Sequence, residues 1–190
     1  ITPLKKDLLI AYIALGVICI IWGTTYLALR IGVLHFPPFL FVILRQLFAS
    51  TILGGIMLTV GKAAWPTREN VIRQAIAGFF MITLGNGLVA WAEVLIPSGV
   101  AAIICSLMPV AVILINVTAN REEKPTVPIV LGVLVGLVGI VMIFGEHVQD
   151  FSKLEYQTGI FMIFVAVLSW AGGSVWLKKK NTEGNLFLNA

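Results

Sequence analysis

Trp22-Gly23-Thr24-Thr25-Tyr26-Leu27-Ala28-Leu29-Arg30 returns in degraded form 148 positions later, as Trp170-Ala171-Gly172-Gly173-Ser174-Val175-Trp176-Leu177-Lys178. Each copy closes an apolar run, follows a Trp with small or hydroxyl residues, and ends on a cation. Only the Trp and the second Leu are identical, so the placement of the match carries more than its letters. The two copies fall on the first and the sixth of six apolar segments of membrane length, which sets the repeating unit at five helices. Five is odd, so a second copy of the unit enters the bilayer from the opposite side.

Composition supports a membrane reading. The 190-residue chain is 59% hydrophobic and 12% charged, with a mean hydropathy of +1.01. Soluble chains carry roughly twice that charged fraction. The net charge of +4 does not point to nucleic acid, because the cations sit in short loops where they orient helices. Lys5 and Lys6 precede an apolar run that is too long for a signal peptide, and no small-residue cleavage site follows. Cys19 and Cys105 lie inside apolar segments and read as small buried hydrophobes, implying neither a disulfide nor a metal.

The runs predict an all-α integral membrane protein with helices at Leu8–Leu29, Pro38–Val60, Val71–Leu95, Ser98–Thr118, Pro128–Phe144 and Tyr156–Leu177. Most have the roughly 20 residues that cross a bilayer at about 1.5 Å per residue. Pro37-Pro38 opens the second helix, where the missing N–H is not needed. Ile96-Pro97-Ser98-Gly99 is a tight link, and Ser98 is placed to cap the fourth helix. Gly132, Gly136 and Gly139 form a small-residue face suited to close helix contact, a role also expected of Gly54-Gly55, Gly78 and Gly172-Gly173.

Charge gives the orientation. Lys5, Lys6, Lys62, Arg68, Arg73, Arg121, Lys124 and Lys178 to Lys180 fall on one side, and Arg30 and Lys153 on the other. Ten against two predicts a cytoplasmic N-terminus. The tail from Asn181 to Ala190 turns apolar again at Leu186-Phe187-Leu188, as the approach to a seventh helix would. The expected organisation is one complete five-helix unit over residues 1–150, followed at 151–190 by the first helix of a second unit and a truncated tail.

Polar groups inside a bilayer are costly and normally face a cavity or a partner. At α-helical spacing Thr83, Asn86, Ala90 and Glu93 share one stripe. Glu93 reads either as a carboxylate at the water boundary or as a cavity group binding a cation or carrying a proton. A parallel stripe joins Ser98, Ala102, Cys105, Pro109, Val112 and Asn116. Pro109 frees a carbonyl in mid-span, so Leu107-Met108-Pro109 is a hinge, a cavity-lining break or a plain packing kink. Arg45 either snorkels outward or pairs with Glu93. Trp22, Thr25 and Tyr26 share a face matched by Trp170, Gly173 and Ser174, either as an interfacial belt or as a cavity wall.

Enzymatic machinery is not visible. Gly55 to Gly61-Lys62-Ala63 has the wrong spacing for a phosphate-binding loop and lacks a Ser or Thr after the Lys. His35 and His147 are far apart, and Arg121-Glu122-Glu123-Lys124 reads as a solvated loop. No cofactor, metal or catalytic residue is expected.

In order and spacing, several strings resemble the EamA-type, ten-helix members of the drug/metabolite transporter superfamily. They are Ile21-Trp22-Gly23-Thr24-Thr25-Tyr26, Phe36-Pro37-Pro38-Phe39 with Leu44-Arg45, Leu84-Gly85-Asn86-Gly87-Leu88, Ala92-Glu93, and Ile96 to Ala102. Pro109, the glycine-rich fifth helix and Leu168 to Ser174 complete the set. The resemblance implies two inverted five-helix repeats around a central cavity that alternates access. It also implies a secondary transporter of a small organic solute (metabolite, amino acid or drug) in the bacterial inner membrane, with export the expected direction and import the direction in some branches. Carried over by position, the cavity candidates are Trp22, Thr25, Tyr26, Arg45, Asn86, Trp91, Glu93, Pro109 and Trp170. The expected partners are the solute and the lipid bilayer, with no nucleic acid. The alternative is a membrane scaffold that assembles with a partner and transports nothing.

Overall fold

The computed structural model describes residues 3–60, 67–119, 126–145, 150 and 152–180. Lys62, Arg121 to Lys124, His147 and the tail from Asn181 lie outside the described residues. Helix α1 runs Pro3–Val33 and α2 Pro38–Val60. A third rod comprises α3 (Arg68–Gly78), a π-helical segment (Phe79–Asn86) and α4 (Gly87–Leu95). A fourth comprises α5 (Ser98–Cys105) and α6 (Met108–Ala119). Helices α7 (Val127–Gly145) and α8 (Leu154–Lys180) follow. Among the described residues there is no strand.

By length and apolar composition, five of these rods can cross a membrane: Leu8–Val33, Pro38–Thr59, Arg68–Leu95, Ser98–Thr118 and Leu154–Lys178. The fifth expected span, Pro128–Phe144, is present as the helix α7, but its described apolar part is the shorter Val127–Gly139. Many large apolar side chains point outward, such as Ile20, Phe48, Leu58 and Phe161. In water this would be an aggregation hazard; in lipid it is the expected outer surface.

The ends of the rods follow from local chemistry. Thr67 caps α3 through its hydroxyl, which accepts from the Asn70 N–H at 3.3 Å. Glu69 in the first turn pairs with Arg73 one turn later at 2.8 Å. Helix α3 thus starts three residues earlier than the apolar run alone indicates. At the next link the expected cap is not made. Pro97 occupies the cap position without a side-chain bond, and Ser98 is already the first helical residue. The preceding rod ends at Ile96, whose backbone is extended.

Helix α8 is the hub. It packs along the π segment, α4 and α6, and also meets α3 and α5. Ile163, Val167 and Ala171 of α8 are buried in one cluster with Ala92, Ile96, Ala101 and Ile104. Between helices in lipid there is no gain from leaving water, so this seam rests on close van der Waals contact. Three glycines permit it, one of them Gly159, where a Cβ would stand 2.6 Å from the Ile96 side chain. A Cβ at Gly85 would stand 2.6 Å from the Trp170 ring, and one at Gly173 would stand 2.8 Å from the Met81 side chain. The other glycines expected to pack behave differently. Gly54, Gly55, Gly78, Gly132, Gly136, Gly139 and Gly172 have nothing within 4 Å of where a Cβ would be. The α7 glycine face is therefore not used for close contact among the described residues.

Candidate functional site

A cavity of about 320 Å³ lies inside the bundle, enclosed by α1, α2, the π segment, α4, the α5–α6 break and α8. That volume is at the lower end for small-molecule sites. Helix α1 supplies Trp22, Thr25, Tyr26 and Leu29, and α2 supplies Arg45. The third rod adds Ile82, Gly85, Asn86 and Val89. Cys105 and Met108 flank the break in the fourth rod, and α8 closes the wall with Ala166, Val167 and Trp170. Trp22 and Trp170, the two residues of the internal echo, line one chamber. Trp22 is also 59% exposed, so the wall is open on the α1 side.

Two backbone irregularities shape this chamber. The π segment holds eight residues whose bonding widens the helix, with the Gly87 N–H reaching the Ile82 carbonyl. Such a helix turns less per residue than an α-helix; it is rare and found frequently at functional sites. It presents Gly85 and Asn86 to the cavity and leaves Thr83 exposed. In the fourth rod Pro109 has no N–H for the Cys105 carbonyl, four residues back. The chain tightens there, with the Leu107 N–H on the Ile104 carbonyl at 3.0 Å. The kinked turn at Ser106-Leu107 sets Cys105 and Met108 against the cavity, with the Cys105 thiol beside the Tyr26 hydroxyl.

Six of the nine candidate positions therefore share the chamber: Trp22, Thr25, Tyr26, Arg45, Asn86 and Trp170. The other three lie off it. Trp91 is exposed and packs edge-on against Phe39, with ring centroids 5.8 Å apart. Pro109 is exposed and acts on the site only by breaking the helix. Glu93 is fully buried, and neither carboxylate oxygen has a hydrogen-bond partner.

Glu93 is not paired with Arg45; the cation whose charge acts on it is Arg30. The Arg30 guanidinium donates to the Ile96 carbonyl at 2.9 Å, on the last turn of α4, where a cation also favours the helix dipole. Arg30 was read from sequence only as an orienting charge at a helix end. Its bond to Ile96 ties α1 to the α4–α5 link and closes that end of the bundle. Ala166, Val167, Ile82 and Val89 carry no signal in the sequence, because apolar residues in an apolar span look alike.

A second hollow of about 440 Å³ lies between α3, the π segment and α8, lined by Ile76, Phe80, Leu168, Ser169, Gly172, Gly173 and Trp176. It holds no charged group, so it lacks the convergent polar set that orients a solute.

The sequence profile of the EamA-like transporter family matches residues 9–145. The chain belongs to that family. It is 31% identical to an uncharacterized inner membrane transporter of Escherichia coli K12, YedA, over 176 residues, covering 90% of this chain and 54% of that protein. It is 27% identical to an uncharacterized transporter of Bacillus subtilis, YoaV, over 87% of this chain and 57% of that protein. An uncharacterized transporter of Archaeoglobus fulgidus is 26% identical over 84% of this chain and 54% of its own length. The chain thus spans about half the length of the curated relatives it matches. No solved structure matches it. As an EamA-like protein with five helices of membrane length, it is a multi-pass protein of the bacterial inner membrane.

Proposed function

We propose that this chain forms the solute-handling half of a secondary transporter that exports a small organic solute. The observation that carries the reading is the chamber in the bundle interior, where Arg45, Asn86, Thr25 and Tyr26 converge among two tryptophans. Polar and charged groups at membrane depth are expensive, and a scaffold gains nothing from gathering them around an empty volume. The family match and the transporter names of its relatives support the same reading.

The organisation we propose is the inverted five-plus-five repeat with a cytoplasmic N-terminus. Residues 1–150 form the first unit, and α8 opens the second at 151–190. In support, the family profile stops at residue 145, before α8 begins at Leu154. Trp22 of α1 and Trp170 of α8, the two tryptophans of the echo, both line the cavity, which supports the same organisation.

The test is solute flux. Everted vesicles carrying the intact native protein should accumulate labelled small organic solutes when energised, and vesicles without it should not. Binding or assembly with a partner protein in the absence of any flux would favour the scaffold.

A further inference from the structure

The cavity wall is unbalanced in charge. Among its lining residues only Arg45 is ionic; Thr25 and Asn86 are neutral, and Tyr26 and Cys105 carry no charge at neutral pH in their ordinary ranges. The one described acid at this depth, Glu93, is outside the lining, behind Tyr26 and Cys105, which feel its charge, and within electrostatic reach of Arg30. No carboxylate among the described residues pairs with Arg45; the ion pairs found there are Arg73–Glu69 and Lys153–Asp150. An arginine stays protonated in proteins, so this guanidinium sits half-buried at membrane depth as a charge that no described carboxylate compensates.

Such a group is a receptor for an anion. A carboxylate arriving at Arg45 removes the cost of the lone charge and matches the planar guanidinium with two parallel bonds. The rest of the chamber is apolar and aromatic, with Trp22 and Trp170 as its largest surfaces. About 320 Å³ leaves room for one ring system and a short acidic arm. Aromatic faces also attract ammonium groups, but here Arg45 shares the chamber and repels them. A zwitterion meets the same obstacle, because no acid among the described lining residues receives its ammonium.

We propose that the chamber selects a monoanion with a flat apolar body, its acid group held by Arg45 and Asn86 and its body laid against Trp22 and Trp170. The proposal rests on the transport reading only for its biological setting, since it concerns which solute the chamber binds.

Three probes that share an indole body separate the possibilities: indole-3-acetate (an anion), tryptophan (a zwitterion) and tryptamine (a cation). Their equilibrium binding to the intact native protein in lipid nanodiscs is measured by calorimetry at neutral pH. The expected result is that indole-3-acetate binds at least about tenfold tighter than the other two. Arg45→Gln should erase that preference, and Arg45→Lys should keep part of it, since the charge remains while the paired geometry is lost. Tighter or equal binding of tryptamine or tryptophan overturns the proposal. So does an unchanged preference in Arg45→Gln, or failure of all three probes to bind. Should Arg45→Gln not fold, the wild-type ranking of the three probes decides alone. Anion-selective binding without flux would overturn the transport reading and sustain this one; flux of tryptamine indifferent to Arg45→Lys would do the reverse.

Discussion

Gly85 shows how one missing atom shapes the chamber. It is the point where the π segment meets α8, and a Cβ there would come within 2.6 Å of the Trp170 ring. Gly85→Ala must therefore move the indole, which lines the cavity. Overpacking of this kind costs about 1–3 kcal/mol. The expected outcome is a lowered melting temperature in detergent and solute flux reduced several-fold; an unshifted melting curve would show that the ring moves freely. Glu93 poses the complementary question. It is fully buried with two unpartnered oxygens, yet it does not line the cavity. Glu93→Gln keeps the shape and removes the acid. If the carboxylate takes part in coupling, flux should fall or its dependence on pH should flatten. Unchanged rates from pH 6 to 8 (about the range a transport assay tolerates) would remove Glu93 from the mechanism. The sequence placed Glu93 and Asn86 on one stripe because it assumed α-helical spacing throughout. The π segment turns less per residue, so Thr83 leaves the stripe and lies exposed, whereas Asn86, Ala90 and Glu93 stay on one side through α4.

At the scale of elements, the spans were legible because apolar runs of about 20 residues have few other readings. The irregularities were legible only where a residue type forces them. Pro109 announces its break, since it cannot donate to the Cys105 carbonyl. The π segment Phe79-Phe80-Met81-Ile82-Thr83-Leu84-Gly85-Asn86 announces nothing, because its residues are ordinary for a membrane helix. The echo of Trp22 in Trp170 found the cavity from two sides, whereas Ala166 and Val167 left no trace. The break in the fourth rod makes a sharp prediction. Pro109→Ala restores the missing N–H, and α5 and α6 should fuse across Ser106-Leu107. Regaining a helical bond and removing the ring clash is worth up to about 3 kcal/mol where the helix can straighten. Cys105 and Met108, one on each side of the break, would turn away from the cavity. Melting temperature should hold or rise while flux falls by about tenfold or more. A protein as active as the wild type would make the kink a packing detail.

Over the whole molecule, the rods sort their charges by end. Arg30 bonds to the Ile96 carbonyl, and a Cβ at Gly159 would meet the Ile96 side chain at 2.6 Å. The end of α1, the α4–α5 link and the start of α8 therefore lie at one end of the bundle. Lys153, one residue before α8, belongs there too, paired with Asp150 at 2.9 Å. At the other end Ile76 of α3 and Trp176 of α8 face one hollow, so the start of α3, with Arg68 and Arg73, lies toward the same end of the bundle as Lys178. The packing thus groups Arg30 with Lys153 and sets them apart from Arg68, Arg73 and Lys178, the division that the positive-inside rule draws from sequence. A cytoplasmic N-terminus makes the end holding Lys153 periplasmic. In intact cells, a protein carrying Lys153→Cys as its single cysteine should react with a membrane-impermeant maleimide. One carrying Lys178→Cys should react only after the inner membrane is opened. Both positions are at rod ends, outside the apolar wall, so neither change disturbs the seams that hold the bundle. The reverse pattern would turn the whole bundle over and place the open Trp22 wall in a transporter of opposite sidedness. Labelling of both positions in intact cells would mean that α8, and the bundle with it, inserts in both orientations, and a single inside and outside could then no longer be assigned to the cavity.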